Sequence, residues 1–297
     1  MQVFTAPGCA DHEPGVGHPE ARIRLAAVLA ALHGDPAVVV TSASPATLTP
    51  LLARHTAAYL ATIEAKSAAG GGVFDEDTSA SAATWAAVLG ASGAALAALH
   101  CALSGRGHAF AAIRPPGHHA LRDRAMGFCF VNHVAVLAAE ARRRGYHRVL
   151  IVDWDVHHGN GTQALVETEP ATRFVSMHQW PWWPGSGAAS ERGVGNIFNL
   201  PQPAGMEPAA YLEALWGGIA AATNDWMPNV VLVSAGYDGM RGDPLGGFTL
   251  EAEHYAEWTR RLRERFPRAP LAMVMEGGYA PDRLAAGVLA TVRALGD

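Results

Sequence analysis

Four times in this chain a short apolar run of strand character ends abruptly in a cluster rich in His, Asp, Glu and Gly. Ala109–Ile113 runs into RPPGHHA, Val149–Val152 into DWDVHHGNG, Val230–Ser234 into SAGYDGMRGDP, and Leu271–Met275 into EGGY. Between such runs lie Ala-rich amphipathic stretches of helical length. Apolar, β-branched runs alternating with helical stretches are the pattern of strands and crossover helices in a mostly parallel sheet. Ligands of an open parallel sheet bind outside the carboxyl ends of its strands, where the connecting loops converge. Four chemically loaded clusters in that position predict one site on one edge. Further strands are expected at Val38–Val40, Arg173–Met177 and Gln2–Thr5. Helices are expected at Ala21–Leu32, Ala46–Ala65, Ser81–Leu103, Asn132–Arg144, Pro208–Ala222, Leu250–Arg265 and Asp282–Leu295. The fold class is therefore α/β, a three-layer arrangement with a mostly parallel central sheet flanked by helices.

Composition narrows the function classes. Hydrophobic residues make up 49% of the 297 residues and charged ones 16%, the balance of a well-buried globular enzyme. A net charge of -5 supplies no field for nucleic-acid phosphates or anionic lipid. No direct nucleic-acid partner and no membrane partner are expected. The three cysteines, Cys9, Cys101 and Cys129, form no CxxC pair and no disulfide framework, which predicts a reducing, cytoplasmic setting. The amino terminus lacks the charged-then-apolar pattern of a leader, and no run approaches 18 uninterrupted apolar residues. The Gly70–Gly72 run reads as a turn or loop and Trp180–Gly187 as a loop rich in Pro and Gly, neither long enough to separate one domain from another, so residues 1–297 read as one catalytic domain.

Within DWDVHHGNG, Asp153, Asp155 and His157 are spaced by two, which on an extended strand end points them to one face. Carboxylate and imidazole together suit zinc or iron, and a catalytic zinc site takes three protein ligands and leaves a position open. Asp238 is the natural third ligand, with Asp243, five residues on, as its competitor. A single Asp or His at a strand end is usually a solvated loop residue; the conjunction of DxDxHH, GHH and GYD favours chemistry. His118 and His119 follow PPG, a stiff turn able to present both imidazoles for proton transfer. Asp153 and Asn160 are candidates to orient them, whereas His158 has the opposite parity and reads as structural.

These motifs closely resemble those of the histone deacetylase-like amidohydrolases, above all the class II branch and its bacterial relatives with their arginase/deacetylase fold. The resemblance spans nearly the whole chain: HPE at His18–Glu20, DTSAS at Asp77–Ser81, RPPGHHA at Arg114–Ala120, MGFCFVN at Met126–Asn132, DWDVHHGNGTQ at Asp153–Gln163, PGSGAASERG at Pro184–Gly193, SAGYDGMRGDPLGG at Ser234–Gly247 and EGGY at Glu276–Tyr279. It implies Asp155, His157 and Asp238 as ligands of one zinc ion, and His118 and His119 as tandem acid-base histidines backed by Asp153 and Asn160. Tyr279 is implied as the hydroxyl that polarises the acyl carbonyl. Asn160 stands where the class I branch has Asp, so His119 lacks a charged partner. A potassium ion is implied at Asp153, Asp155, His157, Ser176 and Met177.

The resemblance further implies a narrow tunnel for an acyl-lysine stem, walled by Phe128 and Trp183, with Gly127 and Gly278 leaving room and Asp77 and Leu245 at the rim. Core packing is the plain alternative for Trp183, a helix cap region for Asp77. Arg24 is implied in an inner acetate-release channel, the alternative being a surface helix arginine. Leu245 occupies a mouth position where polyamine-selective relatives carry Glu, which favours acyl-lysine peptides or proteins over acylated small amines. Cys129 as a thiol nucleophile is disfavoured against a buried apolar cysteine. An arginase-like two-metal ureohydrolase needs more carboxylates than His118, Asn160 and Tyr279 offer, and a binding module without turnover would not need every catalytic position filled. The aromatic loop of Trp180, Trp182 and Trp183 reads substrate or packs in a homo-oligomer.

Overall fold

In the computed structural model, which describes residues 1–296, the strands are β1 Gln2–Thr5, β2 Val39–Ser42, β3 Gly71–Val73, β4 Ser79–Ser81, β5 Ala109–Ala111, β6 Val149–Asp153, β7 Thr172–Gln179, β8 Ile197–Gln202, β9 Val230–Ala235 and β10 Leu271–Met275. The helices are α1 Ile23–His33, α2 Leu48–Leu52, α3 Ala57–Ala68, α4 Thr84–Leu103, α5 His133–Arg143, α6 Asn160–Val166, α7 Pro208–Thr223, α8 Ala252–Arg265 and α9 Pro281–Gly296. Eight strands form one parallel sheet in the order β2-β1-β5-β10-β9-β6-β7-β8, and β3 and β4 make a separate antiparallel hairpin. Helices flank the sheet, with α4 against β1, β5 and β10, α5 against β6 and β9, and α7 against β7 and β8. The α/β class predicted from the alternation of runs is the fold observed.

Every residue of β5, β6, β9 and β10 is buried. Strands covered on both faces read as continuous apolar runs, and this is why they stand out in the sequence. The five strands whose following loops carry the polar clusters and the aromatic loop, β5, β10, β9, β6 and β7, are consecutive neighbours. Their carboxyl ends therefore share one edge.

Three expectations needed correction. The helix expected over Ala46–Ala65 is two helices, because the chain breaks before Thr56, whose side chain accepts from the Tyr59 N–H and starts α3 afresh. Strand β8 was not expected; it carries Pro201 and half-buried residues and is admitted because it is an edge strand, where a missing N–H costs no ladder bond. The Gly70–Gly72 run is not simply a loop, since β3 pairs with β4 there. Helix α4, at 20 residues, is long and apolar enough to cross a membrane by length and composition. Most of it is buried against the sheet and α5.

Candidate active site

Asp155, His157 and Asp238 come together at the carboxyl ends of β6 and β9, with one ligand atom from each lying within 4.8 Å of the others. His157 Nδ1 is 3.1 Å from Asp155 Oδ1 and 3.1 Å from Asp238 Oδ2. The remaining oxygens are held by backbone: Asp238 Oδ1 accepts from Val156 N–H at 2.8 Å and Asp155 Oδ2 from Gly277 N–H at 2.8 Å. A Cβ on Gly277 would collide with both carboxylates, so glycine is what lets the EGGY loop close over them.

Both carboxylates are buried, and their electrostatics are those of a place made for a cation. Burial, together with the charge of Asp155, pushes Asp238 up to about 7. Against the cost of burial, bonds to the two carboxylates push His157 up to about 10. A positive charge is thus stabilised where the three side chains meet. Two carboxylate oxygens and an imidazole nitrogen make a donor set that fits a divalent ion of zinc type. Asp243 stands apart from this cluster: its oxygens accept from the backbone N–H groups of Leu245, Tyr279 and Ala280 at 2.9, 2.6 and 3.3 Å.

The tandem histidines lie beside the cluster with ring centroids 3.9 Å apart. His118 Nδ1 is 3.0 Å from Asp153 Oδ2 and its Nε2 is 3.7 Å from Asp155 Oδ1. Although burial opposes its charge, Asp155 and Asp153 push His118 up to about 10. His119 differs: its Nδ1 is 2.7 Å from Asn160 Oδ1, an uncharged partner. Burial and the neighbouring His118 and His157 hold it well below the usual imidazole value, so it is neutral beside a cationic twin. The backbone that presents them is tied by Glu276, whose Oε2 accepts from Gly117 N–H at 2.6 Å and His118 N–H at 3.2 Å. His158 points elsewhere, to Ser186 and Gln163.

A pocket of about 230 Å³ opens onto this group. His119, His157 and Tyr279 line it together with Gly127, Phe128 and Trp183, and Asp77, Trp182, Pro244 and Leu245 complete the lining. Trp183 meets His119 edge-on at 4.6 Å and is 39% exposed, so it is a wall and not core. Phe128 is the only non-glycine residue with positive φ among the described residues. Gly127 at 57° and Phe128 at 67° are the two centres of a turn closed by Cys129 N–H on Met126 C=O at 3.0 Å, the pattern of a type I′ turn. That strain aims the Phe128 ring into the pocket, 5.7 Å from Tyr279. A Cβ on Gly127 would strike Trp183 and His119. Gly278 does not line the pocket: the side a Cβ would take faces Leu284 and Tyr237.

Tyr279 is half-buried, and burial holds its hydroxyl well above the usual phenol value although Arg24 opposes this. Arg24 is 1% exposed, which removes the surface alternative. Its guanidinium lies 4.7 Å from the Tyr279 ring centroid and donates to the carbonyls of Glu276 and Gly278 at 2.6 Å each. Cys129 is fully buried, and burial pushes its thiol well above the ordinary value, leaving no thiolate nucleophile. Asp77 lies half-buried, its Oδ1 accepting from the Thr78 hydroxyl while Thr78 Oγ1 takes the Phe128 N–H. Ser176 sits opposite Asp153 in the β6–β7 register, next to Met177. Trp182, one of the aromatic-loop residues read as meeting substrate or an oligomer partner, is in the lining; the sequence carried no spacing signal for the bracing roles of Glu276 and Asp243 or for Pro244 in the lining, because each acts on a residue distant along the chain.

The family model described as histone deacetylase domain matches residues 18–295. A protein of Synechocystis sp. described as uncharacterized is 40% identical over 96% of this chain and 95% of its own length. The histone deacetylase-like amidohydrolase of Pseudomonas aeruginosa is 36% identical over 92% of this chain and 74% of its own. The crystal structure of the HDA15 HD domain superposes with a TM-score of 0.95 at 32% identity, covering 99% of this chain and 90% of that one. Matched over nearly its whole length in sequence and in fold, the chain belongs to the histone deacetylase domain family.

Proposed function

We propose that this protein hydrolyses acyl-amides, removing an acetyl or other acyl group from the side-chain nitrogen of acyl-lysine in a peptide or protein, with one zinc ion bound by Asp155, His157 and Asp238. The observation that carries this reading is the meeting of that Asp-His-Asp set with the tandem histidines, where His119, His157 and Tyr279 line one aromatic-walled pocket. Zinc bound there supplies Lewis acidity toward the acyl oxygen and lowers the pKa of a bound water toward about 7. Acetate release from acetyl-lysine peptides by the zinc-loaded protein tests the reading, and its absence across peptides and acylated amines overturns it.

The chain's own residues divide the remaining work. His119, neutral and with Nδ1 engaged by Asn160, presents Nε2 as the proton acceptor for the attacking water and returns that proton to the departing amine. His118, whose Nδ1 is bonded to the buried carboxylate of Asp153, contributes positive charge beside the developing oxyanion. Tyr279 stays protonated at neutral pH and donates its O–H to that oxyanion. Phe128 and Trp183 form a slot suited to a methylene stem, and Asp77 at the rim accepts N–H groups of the substrate backbone.

Because the acceptor must be unprotonated, kcat/KM is expected to fall on the acid side with an apparent pKa below 6.5, the direction in which burial and the two flanking imidazoles move His119. The rate rises with pH through that value; an acid limb centred above 6.5 contradicts the assignment of His119 as base. Potassium is assigned to Asp153, Asp155, His157, Ser176 and Met177. In support, among the described residues no hydrogen-bond donor reaches the buried carbonyl of Asp155 or of His157. The three cysteines are free and buried, which fits the reducing cytoplasmic setting we assign.

An acylated polyamine is the second reading, and Leu245 at the rim argues against it by offering no charge to a cationic tail. Leu245→Glu is expected to raise kcat/KM for an acetylated polyamine by roughly two- to fivefold, the scale of an exposed ion pair. No change, or a greater gain for neutral acetyl-lysine peptides, contradicts the rim assignment.

A further inference from the structure

The backing of His119 by an amide poses a problem that a carboxylate would not. The two oxygens of a carboxylate are alike, but an amide has one end that accepts and one that donates. Whichever end of Asn160 faces His119 Nδ1 decides which ring nitrogen carries the proton. Oxygen toward Nδ1 requires Nδ1–H and leaves Nε2 free to accept. Nitrogen toward Nδ1 requires the proton on Nε2, which then cannot act as a base. Asn160 Oδ1 faces Nδ1 at 2.7 Å, and the other end, Nδ2, lies 3.4 Å from the Met126 sulfur. Among the described residues no other acceptor reaches that nitrogen.

Resting on the deacylase reading above, we infer that Met126 is a positioning residue for His119: its thioether fixes which end of the Asn160 carboxamide faces the imidazole. A thioether sulfur accepts weakly and never donates. A flipped Asn160 would set its oxygen against the sulfur, two acceptors in contact, and lose the N–H···S bond. Sulfur therefore selects the oxygen-inward orientation. Its own place is fixed from two sides. The Met126 backbone is tied to Cys129 by reciprocal bonds, Met126 N–H to Cys129 C=O at 3.2 Å and Cys129 N–H to Met126 C=O at 3.0 Å. The sulfur takes a second donor, Arg124 Nη2, at 3.6 Å. Asn160 opens α6, immediately after the loop that carries His157. The tautomer of the proposed base is thus set through the amide behind it, from the Met126 sulfur.

Met126→Leu removes the acceptor at nearly constant volume. In the zinc-loaded protein, kcat on an acetyl-lysine peptide is expected to fall by roughly two- to tenfold, the size of one ordinary hydrogen bond. In an Asn160→Asp background the same substitution is expected to change kcat by less than about twofold, since a carboxylate has no orientation to lose. Imidazole ¹⁵N shifts of His119 in the substrate-free protein supply a reading that does not depend on turnover. They are expected to report the Nδ1–H form in the parent and a mixture with the Nε2–H form in Met126→Leu. Equal losses of kcat in both backgrounds overturn the inference. An unchanged His119 tautomer in Met126→Leu overturns it whatever the rates, and decides alone if Asn160→Asp is inactive. A protein that hydrolyses no acyl-amide refutes the deacylase reading and leaves the tautomer measurement standing.

Discussion

Tyr279→Phe is expected to lower kcat by about 10²- to 10³-fold, the cost of removing a single oxyanion donor, while metal content and fold are unchanged. The substitution deletes one hydroxyl and keeps every other contact of the side chain. The ring still faces Phe128 at 5.7 Å and the Arg24 guanidinium at 4.7 Å, and the backbone N–H still bonds Asp243 at 2.6 Å. The hydroxyl acts on charge that appears only as the carbonyl becomes tetrahedral, so the loss belongs in kcat, with KM nearly constant. Acetate release at saturating peptide, with elemental analysis for zinc, measures both halves. Retention of kcat within a few fold removes Tyr279 from the mechanism.

Asp238→Asn and Asp238→Ala are expected to abolish turnover because the metal is no longer held. Even an outer-sphere partner of a metal ligand is worth about 10- to 100-fold in affinity or activity, and a direct ligand exceeds that. The two variants separate charge from hydrogen bonding. Asn keeps an acceptor for the Val156 N–H, now 2.8 Å from Asp238 Oδ1, whereas Ala leaves that buried donor unpaired. Both relieve the repulsion between Asp155 and Asp238 that burial sharpens. Stability without metal is therefore expected to be held best by Asn. A ligand bound only by the folded state stabilises it by about 4 kcal/mol when present at a thousand times its Kd. Zinc is accordingly expected to raise the melting temperature of the parent and not of either variant. Zinc-dependent stabilisation and turnover in both variants would overturn Asp238 as a ligand.

The central strands were readable because burial on both faces writes them as unbroken apolar runs. Leu271–Met275 matches the observed bounds of β10, and Val230–Ser234 falls one residue short of those of β9. Edge strand β8 hid behind Pro201 and its polar neighbours, and the break between α2 and α3 hid within one helical stretch until the Thr56 cap was seen. Asp155 and His157 were readable as a pair because their spacing of two is a local rule of extended chain. Gly278, expected beside the pocket, instead makes room for Leu284 and Tyr237; a glycine in sequence does not say which neighbour uses its missing side chain.

Alone, the order of residues determined the α/β class, the edge of the sheet that carries the chemistry, and the types of side chain gathered there, since all three follow from periodicity and from what stands next to each strand. On the residues themselves Asp238 and Asp243 remained rivals. Tertiary structure separates them: one carboxylate turns toward His157 and Val156, the other toward the backbone of Tyr279 and Ala280. It also decided that Arg24 meets Glu276 and Gly278 across more than 250 residues, and that a methionine sulfur backs the amide behind His119. Such contacts depend on which strands lie side by side, an order of β5-β10-β9-β6-β7 that arises from packing the whole chain and leaves no mark at any one position.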